Sequence, residues 1–332
     1  MNPFPSSATR LRHRLFSGAF EMLAYAGSFS PALRAASRRC EIIENIPYAP
    51  DGKPAHRLDV FRPARQGALR PVIMYIHGGG FTMCSKDTHR GVGQIYAANG
   101  YVVFNINYRL APKYKYPAAI DDVALAYQWI VAHAKTYGGD PERIIVAGES
   151  AGGNLTLALA IAACFKRNEV AAQMIWETGI VPKVILVLCG MLQVSQPDHL
   201  IPVCPRINRF SRKLDQQIAR DVSRAYLGKN HQQAFPENHL ADPLLIMESG
   251  MTPDRSFPLT YAMAGTHDIL LSHTRRLEAA LARKNIRHMT RYFPKQGHAF
   301  HLLGISPQAG IFWREHLAFL RREITDYPNP KS

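Results

Sequence analysis

The sequence predicts an α/β fold in which a mostly parallel central sheet is covered by helices on both faces. After residue 40, short apolar runs rich in β-branched residues alternate with longer helical segments. Most of these runs are apolar at consecutive positions, which is typical of parallel strands buried on both faces. The chain has 332 residues, of which 47% are hydrophobic and 20% charged. A chain of this size and composition can bury such a sheet within one domain.

The first predicted strands are Cys40–Tyr48 and Arg57–Arg62, separated by the turn-forming sequence Pro-Asp-Gly-Lys-Pro at 50–54. Val72–Ile76 and Tyr101–Ile106 follow as two further short strands. Four strand candidates therefore precede the first long helix.

That helix is predicted over Ala118–Tyr137, and Asp121 and Asp122 lie in its first turn, where the helix dipole favours acids. A strand at Arg143–Ala147 comes next. The following segment, Gly152–Lys166, is rich in small residues and predicts a helix that packs closely on the sheet.

The stretch from 193 to 255 interrupts this alternation because it is polar, basic and rich in proline. An insertion of that length in a compact domain is usually a lid or a binding element. The remaining predicted strands are Val184–Cys189, Leu259–Ala264 and His288–Phe293, and the remaining helices are Ser272–Lys284 and Gln308–Ile324.

The sharpest chemical signal is the G-x-S-x-G sequence at 148–152, which places Ser150 between a predicted strand and a predicted helix. A serine hydroxyl is a weak nucleophile that must be exposed, activated and held near hydrogen-bond donors. A tight strand-to-helix turn exposes it, and the flanking glycines let the backbones pass closely. We therefore predict that Ser150 is a catalytic nucleophile.

A second glycine-rich motif, His77-Gly78-Gly79-Gly80, follows the strand Val72–Ile76. Glycines let backbone N–H groups approach a developing oxyanion. The predicted oxyanion hole consists of the N–H groups of Gly78, Gly79 and Ala151.

The general base and its partner are predicted in the chain order serine, acid, histidine. Asp268 follows the strand Leu259–Ala264, and His298 follows the strand His288–Phe293. Both lie at carboxyl ends of strands, where open α/β sheets bind their ligands. His267 and His301 are the nearest competing histidines, and position favours His298 as base with Asp268 orienting it.

Together these motifs resemble the hormone-sensitive-lipase family of α/β-hydrolases. The match includes His77-Gly78-Gly79-Gly80, Tyr108-Arg109-Leu110-Ala111-Pro112, Pro117 to Asp122, Gly148 to Asn154, Asp268 and Gly297 to His301, so it covers roughly residues 55 to 320. The resemblance implies an α/β-hydrolase fold with a helical cap. It also implies hydrolysis of short- to medium-chain esters without a metal or an organic cofactor.

The family's cap would correspond here to residues 1–45 and to an insertion at about 193–255, within a catalytic domain of 46–332. The residue before the nucleophile is Glu149, where many relatives carry aspartate, and we expect no change of chemistry from this difference. Two rival functions stay open: a ligand-binding receptor on a hydrolase scaffold, and an amidase or lipase that uses the same triad.

The excess of Lys and Arg, 40 against 25 Asp and Glu, gives a formal net charge of +15. The basic residues are densest in two places: the N-terminal segment, at residues 10–14 and 34–39, and the segment from Arg206 to Lys213. Zinc-finger spacing and basic-aromatic RNA-binding signatures are absent from the sequence, so we expect no nucleic-acid partner. A solvated basic surface is the simplest interpretation, and peripheral contact with an acidic membrane surface is the alternative.

The apolar stretch 15–29 is interrupted by Glu21 and is too short to span a bilayer. This favours a cap or interfacial helix over a signal peptide that ends near Ala35-Ala36. The five dispersed cysteines include no C-x-x-C pair and suit a reducing compartment. We therefore expect a cytoplasmic protein, with secreted or membrane-peripheral location as alternatives, and the sequence leaves the oligomeric state open.

Overall fold

The computed structural model of the chain describes residues 31–65, 67–197, 209–228, 239–303 and 306–324. Within these residues, eight strands form one sheet in the order β1-β2-β4-β3-β5-β6-β7-β8. The strands are β1 Cys40–Pro47, β2 Arg57–Pro63, β3 Arg70–Ile76, β4 Val102–Ile106, β5 Gly139–Glu149, β6 Val184–Leu188, β7 Leu259–Gly265 and β8 His288–Phe293.

The six strands from β4 to β8 in sheet order run parallel, and β2 is antiparallel to both of its neighbours. The central strands are buried along nearly their whole length, as in β3 and β6. The prediction of an α/β-hydrolase fold with a mostly parallel sheet is therefore confirmed.

Helices cover both faces of the sheet, and buried apolar side chains form one cluster on each face. The described helices are α1 Pro31–Ser37, α2 Arg90–Ala98, α3 Ala118–His133, α4 Ala151–Cys164, α5 Val170–Glu177, α6 Arg209–Leu227, α7 Pro243–Glu248, α8 Leu271–Arg283, α9 Phe300–Leu303 and α10 Pro307–Glu323. None of them is both long enough and apolar enough to cross a membrane.

The domain boundary predicted at residue 45 needs correction. Residues 40–45 lie in β1, which pairs with β2, so they belong to the sheet and not to an N-terminal cap. The predicted apolar segment 15–29 and the basic residues 10–14 lie outside the described residues, as do Cys204 and Arg206.

The insertion at 193–255 contributes two described helices, α6 and α7. Helix α6 lies over the glycine loop that follows β3. The ring of Tyr226 stacks on Phe81 with a centroid distance of 3.8 Å, and a methyl group on Gly80 would lie 2.9 Å from the side chain of Val222. This part of the insertion therefore covers the carboxyl edge of the sheet.

Candidate active site

Ser150 lies at the junction between β5 and α4 with a positive backbone φ of 55° and a ψ of −116°. For a residue other than glycine such a conformation costs roughly 1–3 kcal/mol and persists only where the surroundings enforce it. The N–H of Ser150 donates to the carbonyl of Leu188 at 2.9 Å, so the neighbouring strand β6 helps to hold the turn.

The glycines on either side of Ser150 are required by close backbone contacts. A Cβ on Gly152 would overlap the carbonyl oxygen of Ile76, and one on Gly148 would lie 2.7 Å from the same oxygen. Strand β3 and the start of α4 can therefore approach each other only because these two positions lack a side chain.

The structure brings the three predicted side chains into one hydrogen-bonded relay. His298 Nε2 lies 2.9 Å from Ser150 Oγ, and His298 Nδ1 lies 3.0 Å from each oxygen of the Asp268 carboxylate. The N–H of Leu270 also donates to Asp268 Oδ1 at 2.8 Å and fixes the carboxylate from behind. This arrangement can move a proton from the serine hydroxyl to the imidazole.

The electrostatics of the relay suit that chemistry. Asp268 has a fully buried side chain, whereas the side chain of His298 is 33% exposed. Burial of the imidazole works against its charged form, but the Asp268 carboxylate outweighs burial, so the pKa of His298 lies well above 6.5. An imidazolium that forms during reaction would therefore be stabilised.

The predicted oxyanion hole needs one correction, at Gly78. Its N–H donates to the buried carboxylate of Glu149 and is therefore directed away from Ser150. The N–H groups of Gly79, Gly80 and Ala151, by contrast, donate to no group in the described part of the chain. Gly79 and Gly80 have positive φ values of 97° and 57°, a conformation that glycine adopts without strain. We therefore assign the candidate donors to Gly79, Gly80 and Ala151.

The buried carboxylate of Glu149 has several polar partners that the sequence does not predict. Its carboxylate accepts from the hydroxyl of Tyr75 and from the Gly78 N–H, and it lies 2.8 Å from His89 Nε2. Burial alone would raise the pKa of Glu149, but His89 and Tyr75 lower it to about 2. The sequence signal for this role is the position of Glu149 directly before Ser150, because a charged residue at the buried end of a strand needs hydrogen-bonding partners.

An ion pair between a partly exposed arginine and a buried aspartate supports the same loop. Arg109 makes side-chain hydrogen bonds of 2.6–2.9 Å to both oxygens of Asp122, whose side chain is fully buried. Two residues further along, the N–H of Ala111 donates to the carbonyl of Phe81 at 2.8 Å. The Tyr108–Pro112 motif thus anchors the end of the glycine loop.

The competing histidines lie outside the relay. His301 is 1% exposed, and burial lowers its pKa to about 4. His267 precedes Asp268 in the same loop, and its N–H donates to the carbonyl of Gln296 at 2.9 Å. Neither residue hydrogen-bonds to Ser150 or Asp268 in the described structure, and His298 is the histidine that contacts both.

Cys189 is a neighbour of the relay that the sequence does not single out. It is 1% exposed and follows β6 directly. Its sulfur, a ring nitrogen of His298 and a carboxylate oxygen of Asp268 all lie within 4.8 Å of one another. The sequence signal for this place is that Cys189 follows β6, the neighbour of the strand that ends directly before Ser150.

The amino-acid sequence is similar to a family model and to several curated proteins. Residues 73–302 match a family model described as alpha/beta hydrolase fold. Carboxylesterase/phospholipase LipF of Mycobacterium tuberculosis is 31% identical over 268 residues, which are 79% of this chain and 65% of that protein. Carboxylesterase NlhH of the same organism is 46% identical over 91 residues, which are 27% of this chain and 28% of that protein. The chain thus spans less than two thirds of the length of these curated relatives.

Solved structures give the same fold over nearly the whole chain. Esterase B of Lactobacillus rhamnosis superimposes with a TM-score of 0.74 at 18% identity and covers 96% of this chain and 95% of its own. An esterase of Pyrobaculum calidifontis superimposes with a TM-score of 0.70 at 24% identity, covering 94% and 92%.

Proposed function

Because the chain belongs to the α/β-hydrolase fold family, in its hormone-sensitive-lipase-like branch, we propose that it is a serine carboxylesterase. Its substrates would be small carboxylic esters with short- to medium-chain acyl groups. The observation that carries the proposal is the hydrogen-bonded Ser150–His298–Asp268 relay. It is supported by three backbone N–H groups, in the glycine loop after β3 and directly after Ser150, that have no acceptor among the described residues. The names of the relatives, carboxylesterase and esterase, support the same activity.

In the acylation step, His298 Nε2 accepts the hydroxyl proton as Ser150 Oγ attacks the ester carbonyl carbon. The carbonyl oxygen gains the negative charge and is stabilised by the N–H groups of Gly79, Gly80 and Ala151. The C–O bond to the alcohol then breaks, and the imidazolium gives its proton to the leaving alkoxide. An alcohol departs and the acyl group stays on Ser150.

Deacylation repeats these movements with water as the nucleophile. His298 takes a proton from water, the hydroxide adds to the acyl carbon, and the acid leaves as Ser150 Oγ is reprotonated. Asp268 keeps the imidazole in one tautomer and stabilises its charged form in both steps. Ser150, His298, water and the leaving alcohol account for every proton transfer in the two steps. The proposal therefore assigns no role to a metal or an organic cofactor.

The test is hydrolysis of p-nitrophenyl esters from acetate to palmitate by the wild type and by Ser150→Ala. We expect turnover of the shorter esters and a loss of at least about a thousandfold in the variant. The matched control is Ser256→Ala, which removes an exposed hydroxyl from a loop and should leave the rate unchanged.

The absence of turnover from folded wild-type protein would contradict the proposal and favour a receptor. Turnover of p-nitroanilide substrates with no ester turnover would favour an amidase. Hydrolysis that prefers palmitate to butyrate would instead assign the site to long-chain lipids.

We propose in addition that the chain makes peripheral contact with acidic membrane surfaces. Exposed basic residues of α6, including Lys213 and Arg224, support this because α6 lies over the glycine loop that follows β3. Co-sedimentation with vesicles that contain phosphatidylserine, and loss of binding at raised salt, would support it. Equal sedimentation with neutral vesicles would contradict it.

A further inference from the structure

The thiol of Cys189 adds a third type of ligand atom to the catalytic relay. Its sulfur lies within 4.8 Å of a His298 ring nitrogen and of an Asp268 oxygen. The backbone holds the thiol in place, because the Cys189 N–H donates to the carbonyl of Met263 at 2.8 Å. Thiolate, imidazole and carboxylate are the three ligand types that bind Zn²⁺ in proteins.

The spacing of the three atoms is close to that of a zinc site. Tetrahedral Zn²⁺ with a sulfur ligand at about 2.3 Å and a nitrogen ligand at about 2.0 Å places these atoms roughly 3.5 Å apart. The separations present here exceed this by about 1.3 Å at most, a distance that side-chain rotation can close. Because both Asp268 oxygens lie 3.0 Å from Nδ1 of His298, Nδ1 is the ring nitrogen that would bind the cation. The fourth position would be open to water.

Charge and access also favour a divalent cation. One thiolate and one carboxylate neutralise Zn²⁺, so the occupied site would carry no net charge in partly buried surroundings. The cation can enter through the opening used by substrate, because the side chain of His298 is 33% exposed. Binding would release the thiol proton of Cys189 to solvent.

From this geometry we propose that Cys189, His298 and Asp268 form an inhibitory binding site for Zn²⁺. The inference rests on the esterase activity proposed above for the same relay. With zinc bound at Nδ1, the proton of the neutral ring moves to Nε2, which then has no lone pair to accept the proton of Ser150, so the base is lost while the cation is bound. Mg²⁺ does not share the site because it prefers an all-oxygen shell.

The first experiment measures hydrolysis of p-nitrophenyl butyrate during titration with zinc chloride, with each variant compared with its own zinc-free rate. The wild type loses activity and regains it on addition of a chelator, and magnesium chloride has no effect. Cys189→Ala and Cys189→Ser raise the zinc concentration for half inhibition at least about tenfold, since loss of an outer-shell partner alone costs this much. The control Cys40→Ser removes a half-buried thiol from the edge strand β1 and keeps the wild-type sensitivity.

A second experiment replaces zinc by Co²⁺ and records the near-ultraviolet band of thiolate-to-cobalt charge transfer. This band is expected in the wild type and in Ser150→Ala and is lost in both Cys189 variants. Because the spectrum needs no turnover, its result separates failure of the metal site from failure of the esterase proposal. Equal zinc inhibition of wild type and Cys189 variants, or a wild-type spectrum without the thiolate band, would overturn the inference.

Discussion

Replacing Glu149 by glutamine removes one buried charge and keeps the shape of the side chain. The carboxylate has three partners, the N–H of Gly78, the hydroxyl of Tyr75 and the ring of His89. Hydrogen bonds to a charged group contribute about 1.5–3 kcal/mol each, against about 0.5–1.5 for neutral pairs. Loss of about 1 kcal/mol at each contact gives a cost of about 3 kcal/mol in the free energy of unfolding.

The same contacts give a similar magnitude through proton linkage. The pKa of Glu149 falls from 4.5 to about 2 on folding, which corresponds to about 3 kcal/mol at neutral pH. Because the folded pKa is the lower one, this stabilisation is present above pH 4.5 and is lost as pH falls towards 2. The difference between wild type and Glu149→Gln should therefore shrink from about 3 kcal/mol at pH 7 to about 1 kcal/mol at pH 3.

The assay is urea unfolding of both proteins at pH 7, 5 and 3, followed by circular dichroism. The control is Glu142→Gln, because Glu142 is an exposed carboxylate on the amino-terminal part of β5, and its replacement should change stability by less than about 0.5 kcal/mol. Equal stability of wild type and Glu149→Gln at pH 7, or a difference that does not shrink at low pH, would refute the conclusion that the ionised Glu149 carboxylate stabilises the fold.

Three further predictions concern the turn, the supporting loop and the base. Gly152→Ala should lose at least about 2 kcal/mol of stability in urea unfolding, because the new methyl group meets a backbone carbonyl; Gly310→Ala, in open space on α10, should be neutral or slightly stabilising. Arg109→Ala should lower the free energy of unfolding by about 2 kcal/mol, because the buried Asp122 carboxylate loses its hydrogen bonds to the guanidinium but keeps His56 Nε2 at 3.0 Å; an unchanged urea midpoint would contradict this. The pH profile of kcat/KM should rise with pH to a plateau, with a midpoint above 6.5, since His298 acts as a neutral base and its pKa is raised. Asp268→Asn should lower the pH of that midpoint and reduce kcat about 10⁴-fold.

Most of the sheet can be predicted from the sequence because parallel strands are buried on both faces and therefore appear as apolar runs. The prediction of His288–Phe293 has the observed bounds, and the other strands differ by a few residues. Helix α2 escapes prediction, since it contains Gly91 and Gly93, and glycine is a poor helix former. The structure explains Gly93, because a Cβ there would lie 2.6 Å from the ring of Phe61. Packing against the sheet overrides local preference at this helix.

The relay can be predicted because each of its members follows a strand, and the carboxyl ends of parallel strands share one edge. The oxyanion donors can be predicted only as a group. Which glycine N–H groups can face the substrate depends on a carboxylate 71 positions further along, since Glu149 takes the N–H of Gly78. Local sequence contains no signal of this competition, and so the sequence points to Gly78 in place of Gly80.

The contact between Glu149 and Gly78 links the two halves of the proposed catalytic apparatus. Glu149 directly precedes the strained nucleophile, and Gly78 directly precedes the candidate donor Gly79. A displacement of the carboxylate would therefore shift Ser150 and the oxyanion donors relative to each other, and misplaced donors weaken binding of the transition state more than they weaken binding of the substrate. It follows that Glu149→Gln should lower kcat more than it raises KM. An acidic residue at this position is thus best understood as a positioning group that sets the distance between nucleophile and oxyanion hole.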